Sequence, residues 1–259
     1  AIIGPYVTPY PYDQSLYTSS GELLRVENPS LAHPLGTTNH GYDVLSRVIY
    51  GVRPTVITGF LGGSIIITIG TTIGLTAGYV GGRVENVLMR FTDFVYGLPL
   101  LPFAIVLLAL LGIGFFSSIA VIGLILWRSS ARVLRAQVLQ IKNRPYITAS
   151  KAAGASTSRV IIKHILPNVM PMAALFFAFG IGYSIIVQAS LAFLGVTNPF
   201  VPSWGVMIRN AYGSGYMGRQ LAWALTPGFL IAMTVLSAFL IGREFEQAEE
   251  ADDVIIGEG

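Results

Sequence analysis

Apolar side chains gather into five stretches, at about residues 55–80, 87–112, 118–136, 168–194 and 221–242, each near the roughly 20 residues that cross a hydrocarbon core as a helix. The polar positions between them are short turns or amphipathic segments. This pattern predicts an all-α, polytopic transmembrane helical bundle. Ahead of the first stretch, residues 42–53 place Val44, Leu45, Val48 and Ile49 on one helical face, with Asp43 and Arg47 at i and i+4 elsewhere on the turn. That spacing predicts an interfacial helix leading into the first span. Within 55–80, glycines at 59, 63, 70, 74 and 78 recur at intervals of four or seven, a bare stripe where another backbone can approach closely. Pro99 and Pro102 interrupt the second stretch, and Pro167 and Pro171 stand at the start of the fourth. From Pro9 to Pro34 the chain is rich in Pro, Tyr and Ser and reads as an extended polar segment outside the membrane.

Composition sharpens this picture. Hydrophobic residues make up 53% of the 259 positions and charged residues only 11%, against about a quarter in soluble domains, so a water-soluble fold is excluded. There is no cysteine, hence neither a disulfide framework nor a thiolate centre. Charge is also unevenly placed: no acid occurs between Asp93 and Glu244. In that interval, Arg128, Arg132, Arg135, Lys142, Arg144, Lys151, Arg159 and Lys163 supply eight of the sixteen Lys and Arg residues. Such a basic block beside membrane spans marks the cytoplasmic side, and its setting between spans argues against a nucleic-acid patch. Alternation then puts residues 1–54 outside, a transmembrane domain at 55–243 with a cytoplasmic loop at 140–167, and an acidic, mobile cytoplasmic tail at 244–259. Five spans with an outside N-terminus, and an apolar 1–5 segment starting with Ala1, imply a sixth span upstream. Arg128, Arg132 and Arg135 share one helical face and are expected to reach lipid phosphates or a cytoplasmic partner.

Few residues offer chemistry. No GxxxxGK[ST] loop is present, so the chain is expected not to hold ATP itself. The three histidines, His33, His40 and His164, form no cluster within the membrane, and no metal or nucleophilic centre is expected. Asp93 would be costly in hydrocarbon and is expected to pair with Arg90, three residues away.

The cytoplasmic segment carries the sharpest pattern. Residues 146–168 read YITASKAAGASTSRVIIKHILPN, with small residues Ala149, Ser150, Ala152 and Ala153 on helical positions and Gly154 as a left-handed helix end. A second short helix, about 157–166, is expected to close at Pro167. Two surface helices joined at a glycine make a knob whose small side chains allow close docking. Gly154 with Ile165-Leu166-Pro167 resembles the EAA loop of ATP-binding-cassette importer permeases. His33-Pro-Leu-Gly-Thr37, Gly41, Asp43-Val-Leu-Ser-Arg47, Tyr50-Gly51, the stretch 78–83, Asp93 with Pro99, Ser190-Leu-Ala-Phe-Leu-Gly195 and Pro202-Ser-Trp-Gly205 follow in order. Together they resemble the C-type permease subunit of the dipeptide, oligopeptide and nickel importers over nearly the whole chain. The sequence departs at Thr148, where the loop usually has Glu, at Gln188, where Glu usually precedes the ASLxFLG stretch, and at Thr38, where Asp usually follows HPLGT.

The resemblance implies the type I importer permease fold with six spans, and a non-catalytic subunit forming half of a translocation path for short peptides. Oligosaccharides, then nickel, are the alternatives for cargo, and a polytopic enzyme or passive channel the alternative class. It implies docking of an ATPase through Tyr146, Ile147, Thr148, Ala149, Ser150, Lys151, Ala152, Ala153, Gly154 and Ala155. The implied partners are a homologous second permease, two ATPase subunits carrying ATP and Mg, an external substrate-binding protein and membrane lipid. Tyr96, Tyr183 and Gln188, polar groups within apolar spans, are expected to face the path between the permeases or to bond within this subunit's own bundle. Pro202, Trp204 and Arg209 in the 195–220 loop are expected to receive the binding protein.

Overall fold

The computed structural model describes residues 4–216 and 218–257, except for the side chains of Pro5 and of 245–257. Among the described residues the regular structure is helical: α1 (Gly4–Val7), α2 (Val44–Val80), α3 (Gly82–Gly97), α4 (Leu100–Leu111), α5 (Phe115–Leu126), α6 (Arg128–Lys142), α7 (Pro145–Ala152), α8 (Thr157–Val160), a π-helical turn (Ile161–Ile165), α9 (Leu166–Leu194), α10 (Trp204–Gly213) and α11 (Leu221–Gly257). Extended pairing is limited to two isolated bridges, Tyr17 with Leu23 and Thr37 with Asp43.

Four continuous helical runs are long and apolar enough to cross a membrane, Val44–Val80, Phe115–Lys142, Thr157–Leu194 and Leu221–Glu244. Among the described residues a fifth is reached if the pair α3 and α4, bent by 96° at the break that Pro99 imposes, is counted as one span. Several boundaries differ from the sequence reading. The segment 42–53 is not a separate interfacial helix but the first turns of α2, which takes Pro54 in its stride. The third span runs past residue 136 to Lys142. Pro167 does not close the second surface helix. Through the π-helical turn, the backbone N–H of Leu166 reaches the carbonyl of Ile161, and this wider ladder passes into α9 at a residue that could not donate anyway. The acidic tail continues α11 to Gly257, while Glu258, Gly259 and the 1–3 part of the apolar N-terminal remnant lie outside the described residues.

The chain forms two compact units, one of Ala1–Phe60, Ile105–Ile119 and Tyr183–Leu236, the other of Leu61–Ala104, Ala120–Gly182 and Ser237–Gly259. In the first, the 9–43 segment is organised by polar bonds. Asp43 caps α2, accepting from the Ser46 N–H at 2.7 Å, and its other oxygen meets His33 Nδ1 at 3.0 Å with both side chains buried. Arg47, at i+4 from Asp43, lies over the Tyr42 ring, 4.7 Å from its centre. Thr37 donates to the Leu24 carbonyl at 2.6 Å and accepts from Glu27 N–H, and Gln220 Nε2 donates to the Glu27 carbonyl at 2.6 Å. Beneath these bonds Val44, Val48, Trp204, Met207, Ala211 and Trp223 make an apolar cluster.

In the second unit the glycine stripe of α2 meets two helices. Any Cβ at Gly63 would strike Phe177 and Ile181 of α9, and at Gly74 or Gly78 it would strike the backbone and side chains of α6 around Ala131, Arg135 and Val138. Leu134, Val138 and Ile141 of α6 pack with Ile147, Val160, Ile165 and Val169, so α6, α7, the π-helical turn and α9 share one buried cluster.

Candidate functional site

The 145–166 segment is built from its core outward. Arg144 is extended before Pro145, which begins α7 at a position where proline's missing N–H costs nothing. Of the ten residues read as the docking surface, Ile147 is fully buried and pins α7 to the cluster below. Ser150 and Ala155 are half-buried, and Tyr146, Thr148, Ala149, Lys151, Ala152, Ala153 and Gly154 are exposed. The outer face is therefore short side chains held over one large apolar anchor. Gly154 has φ of 84°, and nothing lies within 4 Å of where its Cβ would be. A side chain here would meet none of the described groups of this chain, so within the chain its cost is the left-handed backbone.

Three features of this segment were not anticipated. Ser156, one residue ahead of the expected helix, caps α8 by accepting from the Arg159 N–H; a serine just before a helical run is the signal that could have found it. Ser150 Oγ lies 3.3 Å from His164 Nε2, tying α7 to the π-helical turn. Lys142 donates to the Tyr79 carbonyl at 2.8 Å and, with Lys151, stands over the Tyr79 ring, joining the segment to the end of α2.

The arginine face of α6 is spent inside the chain. Arg132 Nη2 donates to Asp93 Oδ1 at 2.6 Å, and Arg135 pairs with Glu85, its Nε donating at 2.7 Å. Arg128 donates to the Val95 carbonyl at 3.2 Å. So Asp93 pairs with Arg132 rather than Arg90, because α3 packs along α6 and brings a cation with a better approach than a neighbour on the same helix. The three arginines are accordingly engaged with α3, and half of the Arg132 side chain stays exposed beside its ion pair.

The path candidates divide. Tyr96 is exposed, its hydroxyl 2.9 Å from Ser129 Oγ and its ring beneath the Arg128 and Arg132 guanidiniums. Tyr183 is exposed as well. Gln188 is buried, its Nε2 donating to Ser203 Oγ at 3.4 Å, so it bonds within this subunit's own bundle. Among the three loop residues, Trp204 is 3% exposed and donates its indole N–H to the Val48 carbonyl at 3.0 Å. It is a core anchor, its ring too deeply buried to meet a docking protein; Pro202 is half-buried and Arg209 exposed.

Comparison with known proteins follows this geometry. Residues 70–247 match the family described as binding-protein-dependent transport system inner membrane component. The chain is 35% identical over 251 residues to the dipeptide transport system permease protein DppC of Bacillus subtilis, covering 96% of this chain and 76% of that one. It is 34% identical to the glutathione transport system permease protein GsiD of Pectobacterium atrosepticum, covering 92% and 78%. With the oligopeptide transport system permease protein OppC of Haemophilus influenzae it shares 30% identity, covering 97% and 79%. Among solved structures, a chain of the MetNI methionine ABC transporter in an inward-facing conformation superposes with a TM-score of 0.63 at 20% identity, covering 78% of this chain and 95% of that one, a likeness of fold.

Proposed function

Since the chain belongs to the family of binding-protein-dependent transport system inner membrane components and is a multi-pass membrane protein, we propose that it is the permease subunit of an ATP-driven importer of short peptides. The peptide reading rests on relatives named for dipeptides, oligopeptides and glutathione; nothing in the chain favours oligosaccharide or nickel. Its partners are a homologous second permease, two ATPase subunits that hold ATP and Mg, and an external substrate-binding protein. Residues 1–54 and 195–220 lie outside; the 140–167 loop and the 244–259 tail lie inside, as the acid-free basic interval argues. The chain itself carries out no bond chemistry.

The observation that carries this function is the 145–166 knob. Thr148, Ala149, Ala152 and Ala153 present a small-residue face, Gly154 turns the chain sharply behind them, and buried Ile147 transmits any push on that face to α6 and α9. A rigid knob on two membrane-length helical runs is what a motor subunit needs: ATP binding and hydrolysis in the ATPase moves the groove, and the groove moves the spans. Tyr96 and Tyr183 face the path between the permeases, Gln188 supports its wall from within the bundle, and Arg209 with Pro202 meets the binding protein.

Gly154→Val tests the coupling. A β-branched residue in the left-handed region costs roughly 1–2 kcal/mol, enough to re-aim the turn without unfolding spans that lie elsewhere. ATPase chains that copurify with the wild-type subunit should be lost by about tenfold and peptide uptake with them, while Glu250→Ala in the acidic tail retains both. Wild-type copurification and uptake in the glycine variant would refute the coupling role.

A further inference from the structure

The first unit contains a cavity of about 980 Å³ whose lining has no role above apart from Arg209, placed at the binding-protein contact. Aromatic side chains wall it, among them Tyr12, Phe200 and Tyr212, and Arg47, Arg209 and Asp13 bring charge to it. The two arginines are unlike those of α6. Arg128, Arg132 and Arg135 each meet a carboxylate or carbonyl, whereas Arg47 is half-buried with its guanidinium over the Tyr42 ring and within reach of the charge of Asp13, and the exposed Arg209 lies against the bare backbone of Gly195. Neither belongs to the ion pairs of the described residues, which are His33–Asp43, Arg132–Asp93 and Arg135–Glu85. Arg47, half-buried, and Arg209, exposed, both suit an anion, above all a carboxylate, which a guanidinium can bind through two parallel hydrogen bonds.

We propose that this cavity is an entry site for the peptide substrate itself, with Arg47 and Arg209 holding the terminal carboxylate and Asp13 the terminal ammonium. This deepens the peptide-import reading and rests on it. The volume lies at the upper end of the roughly 300–1,000 Å³ typical of small-ligand sites, room for a short peptide with its side chains. Charges of both signs inside a concave aromatic wall match a zwitterion with variable side chains: the termini are common to every peptide, and flat rings accept many side chains at little entropic cost. The site would take peptide released by the binding protein before it enters the path.

Photo-labelling of the assembled permease and ATPase complex tests this, with the binding protein omitted so that its own peptide site does not interfere. The probe is a tripeptide with free termini and a central photo-reactive phenylalanine, and labelled segments are mapped by mass spectrometry. Labelling is expected in 12–47 and 193–214, competed by the unlabelled tripeptide and about tenfold less well by its C-terminal amide. Arg209→Gln should cut labelling about tenfold, and Asp13→Asn severalfold, with the size-exclusion profile and subunit content of each purified complex, matched to wild type, as the check on folding. If these segments stay unlabelled while the same complex, given binding protein, imports the tripeptide, the entry site is refuted and peptide import stands. If no peptide is imported under any condition, the peptide reading itself fails. A cross-link from position 47 to the binding protein in the complete assembly, with no peptide labelling, would assign the cavity to that protein and overturn the proposal.

Discussion

The 145–166 knob and the 9–43 segment are both irregular stretches outside the long spans, yet they are held by opposite means. The knob has an apolar footing: Ile147, Val160 and Ile165 are fully buried, and polar groups such as Ser156 and His164 only trim its edges. The 9–43 segment has little apolar content of its own and is held by directed bonds, with His33 on Asp43, Thr37 on Leu24 and Glu27, and Gln220 on Glu27. Apolar contact is non-directional and tolerates small displacements without letting go. Hydrogen bonds fix a shape but give way when one partner is removed. A part that must transmit force suits the first design, and a rim that must keep a shape around an opening suits the second.

The comparison breaks hardest at Ile147. Truncating a fully buried isoleucine to alanine costs about 2–5 kcal/mol. Ile147→Ala should lower the melting temperature of the purified complex and weaken ATPase association, although no surface atom changes. Unaltered association would mean that the outer face docks without its anchor. Asp43→Ala should cost less, about 2 kcal/mol, by removing the cap of α2 and leaving His33 buried without its partner. Its signature is selective: faster proteolysis of the 9–43 segment, with ATPase copurification unchanged. If copurification fell as well, the two regions would not be independent.

Much of this was legible in the sequence, and the reasons differ by region. The spans and the αL turn at Gly154 could be read because hydropathy and glycine placement are local signals. The glycine stripe of α2 was likewise visible, although its two partner helices, α6 and α9, were not, since a stripe says only that something approaches. The misread features depend on tertiary pairing. Asp93 was matched to Arg90, its neighbour on the same helix, and only the packing of α3 on α6 brings Arg132 to it. Pro167 looked like a stop because the π-helical turn that absorbs it has no marker in residue type. Trp204 lay in a loop between spans, where an aromatic is as easily read as a contact surface as a core plug; only its bond to the Val48 carbonyl distinguishes the two. The cavity near Arg47 and Arg209 draws on segments more than 150 residues apart, which no local pattern brings together.

The smallest expected effect sharpens the same contrast. Thr148 is exposed on the outer face of the knob, and Thr148→Glu should alter stability by no more than about 0.5 kcal/mol. Transport at the wild-type level would indicate that small-residue shape governs docking here, whereas a clear gain or loss would give charge at this position a part.

The knob's contact with the ATPase can be measured directly because the chain has no cysteine. Ala153→Cys adds a single thiol on an exposed face beside Gly154. In inside-out membrane vesicles, a short bifunctional thiol reagent should cross-link it to an ATPase subunit bearing a cysteine at the rim of its groove, while Ser19→Cys, exposed in the 9–43 segment, should give no such product. In sealed cells a membrane-impermeant thiol reagent should label Ser19→Cys and spare Ala153→Cys. Labelling of Ala153→Cys from outside, or its failure to cross-link to the ATPase in a transport-competent complex, would contradict the assignment of this helix pair as the coupling element.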